Sequence, residues 1–202
     1  MKKNIAILLV AVLVIPMCFI PANAENEGDI SFRGIPFGTS YTETIEALKE
    51  QGIEVGSKPR YNEIGANYLL DCKKVIVAGY EMDLTVCFIN LDNRKDVDVK
   101  IEDCVFYDAT YRYNWAQSIF ETKIHGDSNL YKPYEEFKIK LGSLYGTPVS
   151  SSNNETTWET KNASIELKVG ISRLEITNNL DVSTTSISYK WKESEEAFEK
   201  NK

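Results

Sequence analysis

The nine residues Phe32–Ser40, with the sequence FRGIPFGTS, are the most distinctive string in the chain, and an amphipathic segment follows them directly. Gly34 and Gly38 permit a positive φ, and Pro36 stiffens the link between them. The apolar side chains of the string are spaced to pack beneath the start of a helix, like a hydrophobic staple. We therefore predict that the string fixes the angle at which the chain enters that helix.

The segment after this string has the signals of a capped helix. Ser40 is a good N-cap, and Glu43 three residues later completes a capping box. Apolar residues then recur at spacings of four and three, at Tyr41, Ile45 and Leu48. Gly52 suits a left-handed C-cap, with Ile53 folding back on the last turn. The pattern predicts a helix over residues 40–51.

Short runs of strand-forming residues follow this helix, separated by turns. We predict strands at 68–71, 75–77, 83–90 and 96–102, with β-residues continuing through Tyr107 as far as Trp115. A second helix is predicted to begin near Pro133 and to end before Gly146, because proline suits a first helical turn and glycine a C-cap. Further strands are predicted at 157–160, 164–169, 174–177 and 185–191.

The order of these elements predicts an α+β fold. Each half has a helix followed by about four short strands, so the chain reads as two tandem units, α-β-β-β-β twice. We expect the amphipathic helices to pack on one face of an antiparallel sheet. The predicted units cover residues 25–125 and 126–192, and a charged tail covers 193–202.

The first 24 residues have the features of an export signal. Lys2 and Lys3 precede an apolar run from Ile5 to Ile20, and the small-x-small pattern Ala22–Ala24 follows. We therefore expect a secreted or cell-envelope protein of bacterial type that starts near Glu25 and has no stable membrane span after cleavage. Cleavage would remove two lysines and no acidic residue, changing the formal charge from −7 to −9. This charge argues against nucleic-acid partners.

The opening string resembles the start of many small exported proteins of Gram-positive bacteria, in which it reads F-R-G-[IV]-P-W-G-[ST]-[ST]. Phe37 replaces the usual tryptophan here. Residues 77–88 resemble the next strands of those proteins, and Tyr145–Pro148 followed by Trp158 resembles their second half. These motifs are structural, so the resemblance carries over no catalytic residue. The element order is also similar in outline to the β-lactamase-inhibitor-protein fold and to small outer-membrane assembly lipoproteins, which bind other proteins.

Four aromatic residues near the middle of the chain are the candidate binding site. If strand periodicity holds, they share one sheet face: Tyr107, Tyr111, Tyr113 and Trp115. Aromatic faces stack on sugar rings and anchor protein interfaces. The alternative is that this face packs beneath a helix.

Other groups carry weaker chemical signals. Acidic residues cluster between Asp92 and Asp103, with Asp96, Asp98 and Glu102 among them, but alternation with valine and isoleucine explains them as the wet face of a strand. His125 is the only histidine and lies in a predicted loop. Cys72, Cys87 and Cys104 leave the pairing open and match no common zinc spacing, so we predict no metal site and no cofactor.

These features favour a non-catalytic binding or protein-interaction module of the cell envelope. Its partner would be another envelope or extracellular protein, or a glycan. The alternative is a carboxylate-type hydrolase acting on cell-wall sugars or peptides, which requires two carboxylates facing each other across a cleft.

Overall fold

The computed structural model describes residues 29–63, 66–91, 99–118, 121–123, 128–174 and 180–194. The expected export signal at 1–24 lies outside the described residues, and so does the tail beyond Ser194. Among the described residues the two long α-helices are α1 Tyr41–Glu50 and α2 Ser128–Tyr145, and short helical segments lie at 121–123 and 192–194. The strands are β1 Ser31–Phe32, β2 Ile35–Pro36, β3 Arg60–Asn62, β4 Asn67–Val77, β5 Tyr80–Ile89, β6 Val105–Ser118, β7 Ser150–Ser151, β8 Glu155–Glu159, β9 Ala163–Leu174 and β10 Leu180–Trp191.

Eight strands form one antiparallel sheet in the order β3-β4-β5-β6-β10-β9-β8-β7. Strands β3–β6 follow α1, and β7–β10 follow α2. Strands β6 and β10 pair along their length, from Leu180 opposite Ser118 to Lys190 opposite Asp108. This pairing joins the last strand of each half, so strands from both halves belong to a single sheet. The fold is α+β, as predicted.

Both helices pack on the same face of the sheet. Ile45 and Leu48 of α1 and Tyr134, Phe137 and Leu141 of α2 belong to one apolar cluster with inward side chains of the long strands. Alternate residues along these strands are buried, which is the period-two pattern of a sheet with one covered face. The other face carries mainly polar side chains.

The opening string forms a hairpin, β1–β2, that also packs on the covered face. Phe32 is 2% exposed, and its ring centroid lies 5.9 Å from Phe106, 5.4 Å from Tyr111 and 5.5 Å from Tyr189. Phe106 and Tyr111 belong to β6, and Tyr189 belongs to β10. The string therefore packs into the core, but its aromatic ring contacts are with strands β6 and β10, whereas the sequence predicted packing beneath the start of the helix.

The hairpin turn is fixed by backbone geometry and by one side chain. Arg33 and Gly34 have φ of 54° and 80°, the two positive values of a type I′ turn. The Arg33 guanidinium donates from Nε to Gln51 Oε1 at 2.9 Å and from Nη1 to the Tyr111 hydroxyl at 3.1 Å. These bonds tie the turn to the end of α1 and to β6.

Ser40 and Gly52 cap α1 as predicted, and the Glu43 carboxylate accepts from the Ser40 hydroxyl at 2.8 Å. The Glu43 backbone N–H donates to Ser40 Oγ at 3.4 Å. At the other end Gly52 has a φ of 75°, and the Ile53 N–H donates to the Leu48 carbonyl at 3.0 Å. This bond belongs to a Schellman motif, whose hydrophobic contact buries Ile53 against the last turn.

Several element boundaries differ from the predictions; the strands predicted at 68–71 and 75–77, for example, form the single strand β4. Helix α2 begins at Ser128 rather than near Pro133, because burial of Leu130 and Pro133 against the sheet offsets the cost of a proline after the first turn. Ile101–Asp103 forms a 3₁₀ turn instead of the end of a strand over 96–102, and residues 92–98 lie outside the described residues. The strands predicted at 164–169 and from 174 belong to one continuous strand, β9, because β10 pairs along all of it.

The packing of Phe32 generates a stability prediction. Phe32→Ala leaves a cavity where the hairpin packs on β6 and β10, so we expect the free energy of unfolding to fall by about 3–5 kcal/mol. Urea unfolding followed by circular dichroism measures this loss. Ile76→Ala is the control, because Ile76 is 61% exposed and its removal should change stability by about 0.5 kcal/mol or less. Equal effects of the two substitutions would contradict the role given to Phe32.

Candidate functional site

The four aromatic residues predicted to form a binding face do not lie on one face. Tyr111 is 4% exposed and packs in the core beneath the hairpin. Tyr113 is half-buried and makes an edge contact with Tyr80 at 4.9 Å. Tyr107 lies on the opposite face of the sheet, where it packs with Cys87 and Ile89.

A β-bulge is the physical reason for this correction. The pairing register of β5 with β6 shifts between Cys87 and Phe88, so that Phe88 lies opposite Phe106 while Cys87 lies opposite Asp108. Tyr107 is the extra residue of this bulge. A bulge interrupts the alternation of side chains between the two sheet faces, so Tyr107 does not share the face of Tyr111. Trp115 is 45% exposed, so it is the one member of the four with a largely open side chain.

Only two residues of the acidic cluster lie in the part of the chain that the structure describes. Glu102 and Asp103 lie in the 3₁₀ turn and are exposed. Asp92, Asp96, Asp98 and His125 lie outside the described residues.

A cleft of about 460 Å³ lies between the hairpin and the end of β10, and we call it the Trp191 cleft. Its apolar walls are Ile30, Pro36, Phe37 and Trp191. Its polar rim is formed by Asp29, Ser31, Lys161, Asn162, Lys192 and Glu193. This volume lies within the range of sites for small molecules, which combine apolar walls with a few placed polar groups.

Asn162 holds the two sides of the cleft together. Its amide oxygen accepts from the Ile30 N–H at 2.8 Å, and its amide nitrogen donates to the Ile30 carbonyl at 3.0 Å. Its own backbone carbonyl accepts from the Lys192 N–H at 2.9 Å. One residue in the turn between β8 and β9 therefore fixes both the chain entering the hairpin and the chain leaving β10.

The aromatic walls are positioned by neighbouring core residues. Phe37 stacks on Phe106 with ring centroids 5.2 Å apart and planes inclined by 18°. Gly38, at a φ of 84°, lies directly under Trp191, and a Cβ placed there would be 3.3 Å from the indole ring. The absence of a side chain at Gly38 therefore allows Trp191 to pack closely against the string.

The charges at the rim are paired and balanced. Lys161 forms an ion pair with Asp29 at 3.3 Å. Lys192 Nζ donates to Glu159 Oε2 at 3.0 Å and to the Thr160 carbonyl at 2.7 Å. Both lysine side chains at the rim therefore already hold an acidic partner.

A cluster of polar and charged side chains around Asp108 lies on the face of the sheet opposite the helices. Asp108 is half-buried there; its Oδ1 accepts from Thr110 Oγ1 at 3.2 Å, and it is also hydrogen-bonded to the Cys87 thiol. Burial raises the pKa of Asp108 to about 6, although Lys190 on β10 acts in the opposite direction. Lys190 also contacts Glu166 at 3.3 Å, so this face carries linked charges across three strands.

All three described cysteines are free and buried. Burial raises the pKa of Cys72 and of Cys104 to about 11, and it also raises the pKa of Cys87. A thiol with a raised pKa is a poor nucleophile at neutral pH. These residues therefore act here as small core side chains.

Comparison with models of known protein families, with curated proteins and with solved structures finds no match. In the described part of the chain, no group of three or more His, Cys, Asp or Glu side chains is placed to hold a metal ion. None of the helices among these residues combines the length and the hydrophobicity needed to cross a bilayer.

Sequence reasoning missed the residues that form the cleft. The sequence predicts Trp191 as part of a strand, but nothing in its pattern indicates that Phe37 and Gly38 lie beside it. Nothing in the sequence around Asn162 indicates that its side chain binds a backbone segment 132 residues away.

The raised pKa of Asp108 generates a prediction about pH. The pKa in the folded chain, about 6, lies above the ordinary value of about 3.9, so the folded state holds the proton more tightly. The free energy of unfolding should therefore decrease as the pH rises from about 4 through about 6. Asp108→Asn removes the ionisable group, so the variant should not lose this free energy of unfolding as the pH rises. We expect it to be about 1–3 kcal/mol more stable than the native chain at pH 8, with little difference at pH 4.

Denaturant unfolding at pH 4, 6 and 8 measures this difference. Asp83→Asn is the matched control, because Asp83 is an exposed carboxylate on β5. A gain of the same size at pH 4 and at pH 8, or no gain at pH 8, would show that Asp108 does not carry the pH dependence.

Proposed function

We propose that this chain is an exported, non-catalytic binding or protein-interaction module of the bacterial cell envelope, and that the Trp191 cleft is its ligand site. The cleft carries the proposal, since it joins aromatic and apolar walls to a polar rim within a volume of about 460 Å³. The partner would be another envelope or extracellular protein, or a glycan.

Export is supported by the N-terminal sequence. Two lysines, an apolar run and a small-x-small pattern are the features by which export signals are recognised. We infer that the working protein starts near Glu25 and acts in the cell envelope or outside the cell. Its formal charge of −9 after cleavage, from −7 with the loss of Lys2 and Lys3, would repel nucleic acid.

Tandem organisation is part of the same proposal. We infer that residues 25–125 and 126–192 are two α-β-β-β-β units, because α1 precedes β3–β6 just as α2 precedes β7–β10. The sheet order supports this, since it runs outward from β6 and β10 in the same sense. An experimental structure in which the two helix-plus-four-strand segments could not be superposed would contradict the repeat.

A specific observation also favours the second function, a carboxylate-type hydrolase of cell-wall sugars or peptides. Asp29 and Glu193 both line the Trp191 cleft, and hydrolysis of a glycosidic bond uses two carboxyl groups on either side of it. If this function holds, Asp29→Asn and Glu193→Gln abolish release of soluble fragments from purified cell walls while leaving wall binding intact. Absence of release by the native protein would leave binding as the function.

Binding through the cleft is tested by co-sedimentation with purified Gram-positive cell walls and with walls that retain their proteins. We expect the native protein, recovered from an exporting host, to sediment and Trp191→Ala to remain in the supernatant, because the variant loses an aromatic wall. Trp115→Ala is the matched control, since Trp115 is exposed and does not line the cleft.

Circular dichroism verifies first that both variants fold. Equal sedimentation of Trp191→Ala and the native protein would exclude the cleft as the binding site. Loss of sedimentation in Trp115→Ala alone would show that the binding site lies at Trp115 and not in the Trp191 cleft.

A further inference from the structure

We propose that the Trp191 cleft binds a short, uncharged segment of a carbohydrate chain. This inference rests on the proposed binding function and specifies the ligand class of the same cleft. It is carried by the form of the walls, the chemistry of the rim and the size of the cleft.

The walls present flat apolar surfaces. Phe106 covers one face of the Phe37 ring, so the surface that Phe37 contributes to the cleft comes from its other face and its edge. The indole of Trp191 is held in place by contact with Gly38 and remains partly exposed. Rigid aromatic rings with one wet side offer large contact area at low entropic cost, and the C–H faces of sugar rings match them.

The rim provides both donors and acceptors without a net charge. The lining residues include two lysines and two acidic residues, and each lysine is already paired, Lys161 with Asp29 and Lys192 with Glu159. Ser31 adds an exposed hydroxyl. Sugar hydroxyl groups donate and accept hydrogen bonds at once, so a rim of mixed groups suits them. A phosphate or a carboxylate ligand would require an excess of cations, which this rim lacks.

The size of the cleft favours a carbohydrate segment over a protein as its ligand. About 460 Å³ lies within the range of about 300–1,000 Å³ for small-ligand sites. A stable protein interface buries about 800 Å² on each partner, which would extend far beyond this cleft onto charged surface. The exposed position of the rim residues leaves room for a chain to continue on either side of the bound segment.

The test uses a soluble tetramer of β-1,4-linked N-acetylglucosamine, with an acetylated and amidated alanine tetrapeptide as the matched probe. Binding to the full exported protein is measured by titration calorimetry. Trp191→Leu and Phe37→Leu keep an apolar side chain and remove the ring, so each should weaken saccharide binding by at least about tenfold. Trp115→Leu should leave the affinity unchanged.

Phe37→Trp provides a variant that retains a ring and enlarges it, and it should bind the tetramer at least as tightly as the native protein. Saccharide binding that is equal in the native protein, Trp191→Leu and Phe37→Leu overturns the proposal. Binding of the tetrapeptide but not the tetramer, lost in Trp191→Leu, overturns the carbohydrate class and leaves the proposed binding function in place. No binding of either probe, with no sedimentation on cell walls, removes the proposed function as well.

Discussion

The contact of Phe32 with the aromatic side chains of β6 and β10 is the interaction on which the rest of the structure depends. The pairing of β6 with β10 makes one sheet from two groups of four strands, and one face of that sheet must be buried. Two helices cover part of this face, and the hairpin packs there beside them. Phe32 contacts Phe106, Tyr111 and Tyr189, and so joins the N-terminal string to both halves of the sheet.

The cleft is a consequence of how this hairpin is fixed. Arg33 ties the turn to Tyr111, and Asn162 ties Ile30 to the turn between β8 and β9. The positive φ of Gly38 turns the chain toward α1 and leaves space for Trp191. The same constraints that close the core therefore place Phe37 beside Trp191, and a string that serves the fold also forms a wall of the candidate site.

Local signals predicted the local features well. The caps of α1 follow from Ser40, Glu43 and Gly52, because each acts within one turn of its own position. Period-two alternation predicted strands but could not reveal the bulge that turns Tyr107 to the other face, since that depends on the register of β5 against β6. The cleft was not predictable for the same reason, because it brings Ile30 together with Asn162 and Phe37 with Trp191 across most of the chain.

The claim that the Trp191 cleft binds a ligand is tested most directly by the indole N–H signals of the three tryptophans in a nitrogen–proton NMR spectrum, recorded with and without solubilised cell-wall glycan. Trp158 is buried and donates to the Gly146 carbonyl, and Trp115 does not line the cleft, so both serve as internal references. Our account requires the Trp191 signal to shift progressively with added glycan while the other two stay in place. A shift of the Trp115 signal alone, with Trp191 unchanged, would contradict it.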